Sequence, residues 1–337
     1  MSISLPEFVT HWAKMLGADL GSVEALKGGM NSRVYACRAE HKRFVLKGYL
    51  PMQLGARDRF AAESEFLTYC NQMAPRFVPT LLWVDRAHRC IVMDYLEGET
   101  YKEGSTPNQQ ELQAAAEFFG LINQDLDTAK ACVTMDAAEG YIRLTEHLHN
   151  IQNRLSEMSV NHLPRQLHPL AKRAITLLQR EFDKVAEDTR AALAHGVVAD
   201  AMVENQRRVS PSDFGFHNAL ITKDGVKFFD FEFAGWDDPA KALVDFMLQP
   251  KVPVKAETNP LLRALDNDLV NSLSLRMELL QPILHVKWCS IIVGFLHPAR
   301  LRNLGVFLTD INKDEYYFSK LRVVINLLEK RASLGVS

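Results

Sequence analysis

The chain has 337 residues, 47% hydrophobic and 24% charged, a composition that excludes wholesale disorder. Its length predicts two domains, or two lobes sharing one cleft, at roughly 100–200 residues each. Lys+Arg 39 against Asp+Glu 41 gives a net charge of -2, without the basic excess of a duplex nucleic-acid binder. The longest nearly uninterrupted apolar stretch, Cys289 to Leu296, is far short of the roughly 20 residues that span a bilayer. The segment MSISLPEFVTHWAK has no basic n-region followed by an apolar h-region, so it does not read as a secretory signal. These features predict a cytoplasmic protein with neither a nucleic-acid nor a membrane partner.

Residues 20 to 50 read as strands, with a polar, Gly-bearing turn between Leu26 and Val34 and apolar runs at Val34–Cys37 and Phe44–Lys47. Residues 57 to 72 read as a helix on which Phe60, Phe66, Leu67 and Cys70 supply the apolar face. Thr80 to Val84, a turn at Asp85 to His88, and Cys90 to Met93 form a hairpin pattern. Beyond Gly98 the period becomes helical. Thr106 and Pro107 predict a helix start, as N-cap and first residue, for a helix over 107 to 127 carrying Leu112, Ala116, Phe119 and Ile122. Residues 141 to 157 and 166 to 194 are also helical in pattern, the latter with a stripe of Leu167, Leu170, Ala174, Leu178, Phe182 and Val185. Short β-rich runs return between 205 and 233, and 239 to 335 reads as helical.

Metal-ligating patterns of the zinc type are missing. Cys37, Cys70, Cys90, Cys132 and Cys289 form no CxxC, and their odd number fits reduced thiols. His147 and His149 diverge on a helix and read as surface or packing residues.

Four elements in chain order carry candidate chemistry. The turn Gly28-Gly29-Met30-Asn31-Ser32-Arg33 lets backbone approach a phosphate and offer N–H donors, although an ordinary hairpin has the same look. Lys47 ends an apolar strand, and Glu63 on the next helix can hold its ammonium, with Glu65 as the alternative. In Ser210-Pro211-Ser212-Asp213-Phe214-Gly215-Phe216-His217-Asn218, a D-x4-N spacing places a carboxylate near an attacking hydroxyl and an amide oxygen near a metal. His217 reads there as a loop residue. Phe228-Phe229-Asp230-Phe231-Glu232 brings a further acid to a strand end, where Asn218 and Asp230 together suit Mg²⁺, which prefers hard oxygen ligands.

Each feature is common alone. The ordered set of Gly turn, strand Lys, helix Glu, D-x4-N and Asp on the next strand is the kinase order. On these residues the chain resembles the aminoglycoside phosphotransferase and choline kinase-like family, within the protein kinase-like fold. DFEFAGWDDPAKALVDF (230 to 246) resembles that family's metal-binding motif, and IVMDYLEG (91 to 98) its hinge. The resemblance covers roughly residues 20 to 250.

It implies an α+β, two-lobed protein kinase-like fold: a small β-rich N-terminal nucleotide-binding lobe over 1–95, and a larger, mainly helical lobe over 96–337 with the catalytic loop and acceptor site. It implies ATP and Mg²⁺, with Asp213 as the catalytic carboxylate and Asn218 and Asp230 as metal ligands. Lys47 would contact the α/β-phosphates, steadied by Glu63. Gly28, Gly29, Asn31 and Ser32 would cover the phosphates. The adenine would lie against Met93 and the hinge residues Asp94, Tyr95 and Leu96. Asp245 resembles an acid that braces the catalytic loop, and Glu232 and Trp236 would face the substrate.

One position departs: the family usually has His two residues before the catalytic Asp, where this chain has Pro211. The implied reaction is transfer of the ATP γ-phosphoryl group to a hydroxyl of a small molecule. Amino alcohol, aminoglycoside and sugar-like acceptors all stay open. The alternative is a catalytically weak or inactive nucleotide-binding pseudokinase. No stretch resembling an activation loop with APE follows Asp230, which disfavours a protein acceptor. Segment 100 to 205, with Asp125, Asp127, Asp136 and Glu139, would form much of the acceptor pocket.

Overall fold

The computed structural model describes residues 5–26, 32–50, 57–255, 259–298 and 312–333. The chain forms two compact units, one of Met1–Gly140 with Arg207–Val270 and the other of Tyr141–Gln206 with Asn271–Ser337.

In the first unit, strands β1 (Glu24–Ala25), β2 (Ser32–Ala39), β3 (Lys42–Tyr49), β4 (Leu81–Asp85) and β5 (Cys90–Asp94) make an antiparallel sheet of order β1-β2-β3-β5-β4. The hairpin expected over 80 to 93 is β4–β5. Strand β3 is central, and its Lys47 lies in register with Val34 on one side and Ile91 on the other. Helix α1 (Glu7–Met15) is absent from the sequence expectations. It is short, and its N-cap is Pro6, which supplies no side-chain cap. Its stability comes from laying Val9 and Trp12 into a cluster with Cys37, Leu46, Cys90 and Val92. Helix α2 (Arg59–Met73) is capped by Asp58, whose side chain accepts from Ala61 N, and it buries Phe60, Phe66, Leu67 and Cys70.

The rest of the first unit carries β6 (Glu99–Thr100), β7 (Arg208–Ser210), β8 (Ala219–Thr222), β9 (Gly225–Phe228) and β10 (Gly235–Asp237), paired as β6-β8-β9 and β7-β10. Its helices are α3 (Gln109–Leu121), α4 (Leu126–Cys132) and α7 (Pro239–Leu248). The expected helix start at Thr106–Pro107 is corrected here. Asn108 is the N-cap, accepting from Gln110 N and Glu111 N, while Glu111 accepts from Asn108 N at 2.7 Å. The single helix expected over 107 to 127 is also broken after Leu121. Asn123 Nδ2 takes the Phe119 and Val209 carbonyls at 3.0 and 2.9 Å, and Asp125 caps α4.

An aromatic core underlies these elements. The ring of Phe118 on α3 packs against Phe77, Phe214, Phe228 and Phe231, and Phe214 also meets Phe119 and Phe246. Beside it lies a buried charged trio. Lys241 Nζ donates to Asp237 Oδ2 at 2.7 Å and lies 3.5 Å from Asp245 Oδ2. The side chains of all three are at most 5% exposed. Burial alone would depress the Lys241 ammonium, but Asp237 and Asp245 outweigh it and hold its pKa above the ordinary value.

The second unit is helical: α5 (Leu144–Ser156), α6 (His168–Ala194), most of α8 (Asn267–Ile292), and α9 (Lys313–Ser333). The stripe expected on α6 buries Ala174, Leu178, Phe182 and Val185, and α9 buries Leu321, Val324 and Leu328. His147 is buried and His149 exposed, so the two diverge as their spacing requires. No helix among the described residues is long and apolar enough to cross a membrane.

Two outcomes test this packing. Lys241→Met leaves two buried carboxylates without their cation and is expected to lower the unfolding free energy by about 3–5 kcal/mol, read by urea denaturation. An unchanged midpoint would place the trio outside the core. At Gly235, an added Cβ would stand 2.4 Å from the Met135 carbonyl oxygen. Backbone there cannot swing aside, so Gly235→Ala is expected to cost about 2–3 kcal/mol and lower Tm by roughly 4–12 °C. A Tm equal to that of the parent would exclude the close approach of segment 135–137 to β10.

Candidate active site

The polypeptide brings the expected residues to two adjoining places in the first unit. At the first, strand β3 delivers Lys47 and helix α2 delivers Glu63. Lys47 Nζ donates to Glu63 Oε2 at 2.6 Å and to Asp230 Oδ1 at 2.5 Å. Glu63, not Glu65, is the partner, because Glu65 Oε2 accepts from Thr134 N and Oγ1 at 3.0 and 2.9 Å. Burial alone would depress the Lys47 ammonium. Glu63, Asp230 and Glu232 outweigh that cost and hold its pKa above the ordinary value. Lys47 and Glu63 are almost inaccessible, whereas the Asp230 side chain is 34% exposed.

These three groups stand at the wall of a cavity of about 330 Å³. Ser32, Met93, Asp94, Tyr95 and Leu96 line it as well, with apolar surface from Leu26, Val34, Val45 and Leu220. Asp94 N donates to Thr80 O and Tyr95 N to Arg43 O, so both N–H groups are committed within the fold. Gly28, Gly29 and Asn31 lie outside the described residues; Ser32 opens β2 and is buried.

At the second place, the loop after β7 holds Asp213 and Asn218. Ser210 pairs with Gly235 across β7–β10, and Ser212 N donates to Ser210 Oγ at 2.9 Å. Ser212 Oγ reaches the Ala138 carbonyl at 3.1 Å, and Asp213 N donates to Pro211 O at 2.9 Å. Asn218 Nδ2 turns back to Asp213 O at 3.0 Å and Oδ2 at 3.4 Å, which aims Asn218 Oδ1 away from that carboxylate. His217 Nε2 donates to Asp213 Oδ1 at 3.1 Å, so this residue is more than the loop position expected of it. Burial raises the Asp213 pKa, but the His217 and Asn218 contacts outweigh it and hold the carboxyl below the ordinary value. Ser212 and Asp230 have φ of 64° and 67°, left-handed values that non-Gly residues rarely adopt and that concentrate at functional sites.

The hairpin β8–β9 joins the two places. Ala219 lies opposite Phe228, and Phe229 N donates to Asn218 O at 3.0 Å, which sets Asp230 beside the end of the segment that carries Asp213 and Asn218.

The remaining candidates take structural positions. Asp245 is buried in the Lys241 trio rather than exposed on a helix surface. Glu232 is buried, with its Oε1 3.8 Å from Arg59 Nε. Trp236 Nε1 donates to Val133 O at 2.8 Å, which commits its polar edge to the fold. Arg57, which no sequence pattern marks, gathers the carbonyls of Glu232, Ala234 and Asp136 and so ties the chain after Asp230 to segment 136. Asp136 pairs with Arg207, and Asp125 is the α4 cap.

His11, Asp85 and His88 also bring ligand-type atoms within 4.8 Å of one another. Asp85 Oδ2 already accepts from Trp12 Nε1 and His88 Nδ1 at 2.8 and 2.7 Å. The two imidazoles stack at 4.7 Å with 27° between planes, so their in-plane lone pairs run side by side and do not converge on an ion.

Comparison with known proteins places this geometry. No curated relative matches the chain in sequence. Among solved structures, a spectinomycin phosphotransferase in complex with ADP and spectinomycin is similar at TM-score 0.59 and 10% identity, covering 97% of this chain and 98% of that one. An ADP-bound aminoglycoside phosphotransferase matches at TM-score 0.55 and 13% identity, covering 95% and 97%. A choline/ethanolamine kinase family protein from Mesorhizobium loti matches at TM-score 0.51 and 17% identity, covering 94% and 99%. These likenesses establish the protein kinase-like fold, with a β-sheet N-terminal region and a mostly helical C-terminal part. Residues 22–250 match the family described as "Phosphotransferase enzyme family". The chain therefore belongs to that family of small-molecule phosphotransferases.

Proposed function

We propose that the protein transfers the γ-phosphoryl group of ATP to a hydroxyl of a small molecule. The observation that carries this reading is the Lys47 ammonium, held between Glu63 and Asp230 at the wall of the cavity. A buried, fixed cation at a cavity wall is suited to polyanionic phosphate. In this reading segment 1–95 is the nucleotide-binding lobe, and 96–337 carries the catalytic loop and acceptor site. The purine lies among Leu26, Val34, Val45, Met93 and Leu220, with the Leu96 N–H as its backbone donor at the hinge. Gly28, Gly29, Asn31 and Ser32 cover the phosphates.

The donor set also fits Mg²⁺. Asp230 offers a part-exposed carboxylate and Asn218 an amide oxygen, both hard ligands, and the remaining positions suit water and phosphate. Mg²⁺ supplies neutralisation of phosphate charge when bound. Asp213, with a third of its side chain exposed, accepts the proton of the acceptor hydroxyl and orients its oxygen toward phosphorus. Lys47 holds the phosphate oxygens, and Glu63 keeps the ammonium in place. Catalysis then rests on positioning and charge, without a covalent enzyme intermediate.

One similar structure holds ADP and spectinomycin, one is an ADP-bound aminoglycoside phosphotransferase, and one is a choline/ethanolamine kinase family protein, so the acceptor class proposed is an amino alcohol, aminoglycoside or sugar-like alcohol. The five free thiols fit a reducing cytoplasm. A second reading, nucleotide binding without turnover, is favoured by Pro211 alone.

Both readings meet one pair of measurements. At ATP about 100-fold above Kd, with Mg²⁺, the protein is expected to gain ~2.7 kcal/mol, a Tm rise of roughly 5–11 °C. EDTA or Asp230→Ala should remove most of that rise, and the absence of any rise would overturn the nucleotide site. Asp213→Asn is expected to keep the rise and to lose roughly 10²–10⁴-fold in ADP release. Equal ADP release from both proteins would favour binding without turnover.

A further inference from the structure

The Asp213 carboxylate takes no side-chain hydrogen bond from residue 211. Pro211 has neither an N–H nor a polar side chain. Support for the carboxylate comes from the C-terminal side. His217, four residues later, folds back so that Nε2 meets Asp213 Oδ1 at 3.1 Å, within the normal range for an N–H···O bond. Asn218 Nδ2 lies 3.4 Å from Oδ2, a longer contact, and its shorter bond goes to the Asp213 backbone carbonyl. His217 therefore makes the shorter contact to the carboxylate, on Oδ1, and Asn218 the longer one, on Oδ2.

Two further features are built around the imidazole. Its side chain is only 6% exposed, while that of Asp213 is 33% exposed, so the contact is made from beneath the loop. Nδ1 is buried and meets no hydrogen-bond partner among the described residues. A buried lone pair is tolerated there more readily than a buried N–H without an acceptor, which assigns the proton to Nε2, facing Asp213. The second feature is Gly215. Its φ of 164° is extended backbone open to any residue, so conformation does not require glycine. Space does: a Cβ at 215 would stand 2.9 Å from His217 Nδ1 and 3.3 Å from Gln249 Cγ. The glycine clears the volume that the imidazole occupies.

We propose that His217 is a positioning residue of this site: its Nε2–H fixes Asp213 Oδ1 and thereby sets the orientation of the carboxylate toward the acceptor hydroxyl. The inference rests on the phosphotransferase reading above. It gives Asp213 an orienting hydrogen bond that does not depend on residue 211, so Pro211 is compatible with turnover. His217 does not touch the reacting atoms; it acts through Asp213.

The test uses the full chain with ATP, Mg²⁺ and water as the acceptor, and follows ADP release. Displacement of a catalytic group by about 1 Å costs up to 100-fold in rate, so His217→Leu is expected to lower kcat roughly 10- to 100-fold. The KM for ATP should stay within about twofold, because the nucleotide contacts are elsewhere. His217→Gln, whose amide N–H can reach the same oxygen, is expected to restore kcat to within about fivefold of wild type. Gly215→Ala, which crowds the ring at Nδ1 and leaves the His217 and Asp213 side chains in the sequence, should act in the same direction as His217→Leu. Wild-type kcat in His217→Leu, or a Gln variant no better than Leu when both are folded, overturns the inference and leaves the phosphotransferase reading standing. Wild type releasing no more ADP than Asp213→Asn overturns the reading, and the inference with it. A measurement on the wild-type protein covers variants that fail to fold: ¹⁵N-imidazole spectra should place the His217 proton on Nε2. A proton found on Nδ1 instead excludes the bond to Asp213.

Discussion

Phe118 packs against Phe214, Phe228 and Phe231, and those three rings lie within two residues of the candidate site carboxylates Asp213 and Asp230. Phe214 follows Asp213; Phe228 and Phe231 bracket Asp230. Burying these rings anchors the backbone on either side of each carboxylate. Each buried Phe contributes roughly 1.5–3 kcal/mol through area removed from water. Those contacts over-determine where the loop and the β9 end stand. They allow Ser212 and Asp230 to keep left-handed backbone that isolated residues would relax. Stability of the core and placement of the carboxylates are thus one property, and Phe216, packed on Tyr101 and Phe246, extends it to the His217 side.

Lys47 and Lys241 show the same physics put to different ends. Each is buried, and each is matched by a pair of carboxylates whose field more than offsets desolvation. Around Lys241, every partner is closed off from water, so the trio can only brace β10 against α7. Around Lys47, Glu63 is closed off but Asp230 is not. An exposed partner can exchange its ammonium for another cation at small solvation cost, whereas a sealed one cannot. This difference in exposure separates a pair suited to ligand exchange from a structural one.

What could be read from sequence follows from how local each feature is. Strands β2 to β5 and helix α2 carry their own periodicity, and Lys47, Glu63, Asp213, Asn218 and Asp230 occur in an order that few chains share. Helix α1 was illegible because its signal is Trp12 and Val9 packing on strands that begin far downstream. The start of α3 was misplaced because Thr106–Pro107 and Asn108-x-x-Glu111 are competing caps, and the reciprocal hydrogen bonds of the second satisfy more backbone than proline at a first turn. Arg57 carries no pattern at all; its three acceptors are backbone carbonyls, which any sequence supplies.

The contact of His217 with Asp213 was illegible for a different reason. Judged as a single residue, a histidine beside Asn218 resembles any loop position. Its meaning lies in a set: Pro211, which removes a donor; Gly215, whose missing Cβ opens the space; and an i,i+4 return that the short turn Phe216–Asn218 makes possible. A departure from a family pattern at one position is therefore weak grounds for inferring lost chemistry until the flanking residues have been examined for a substitute donor. In this chain Pro211 and His217 lie six residues apart in the same loop, and only the fold shows that His217 meets the Asp213 carboxylate.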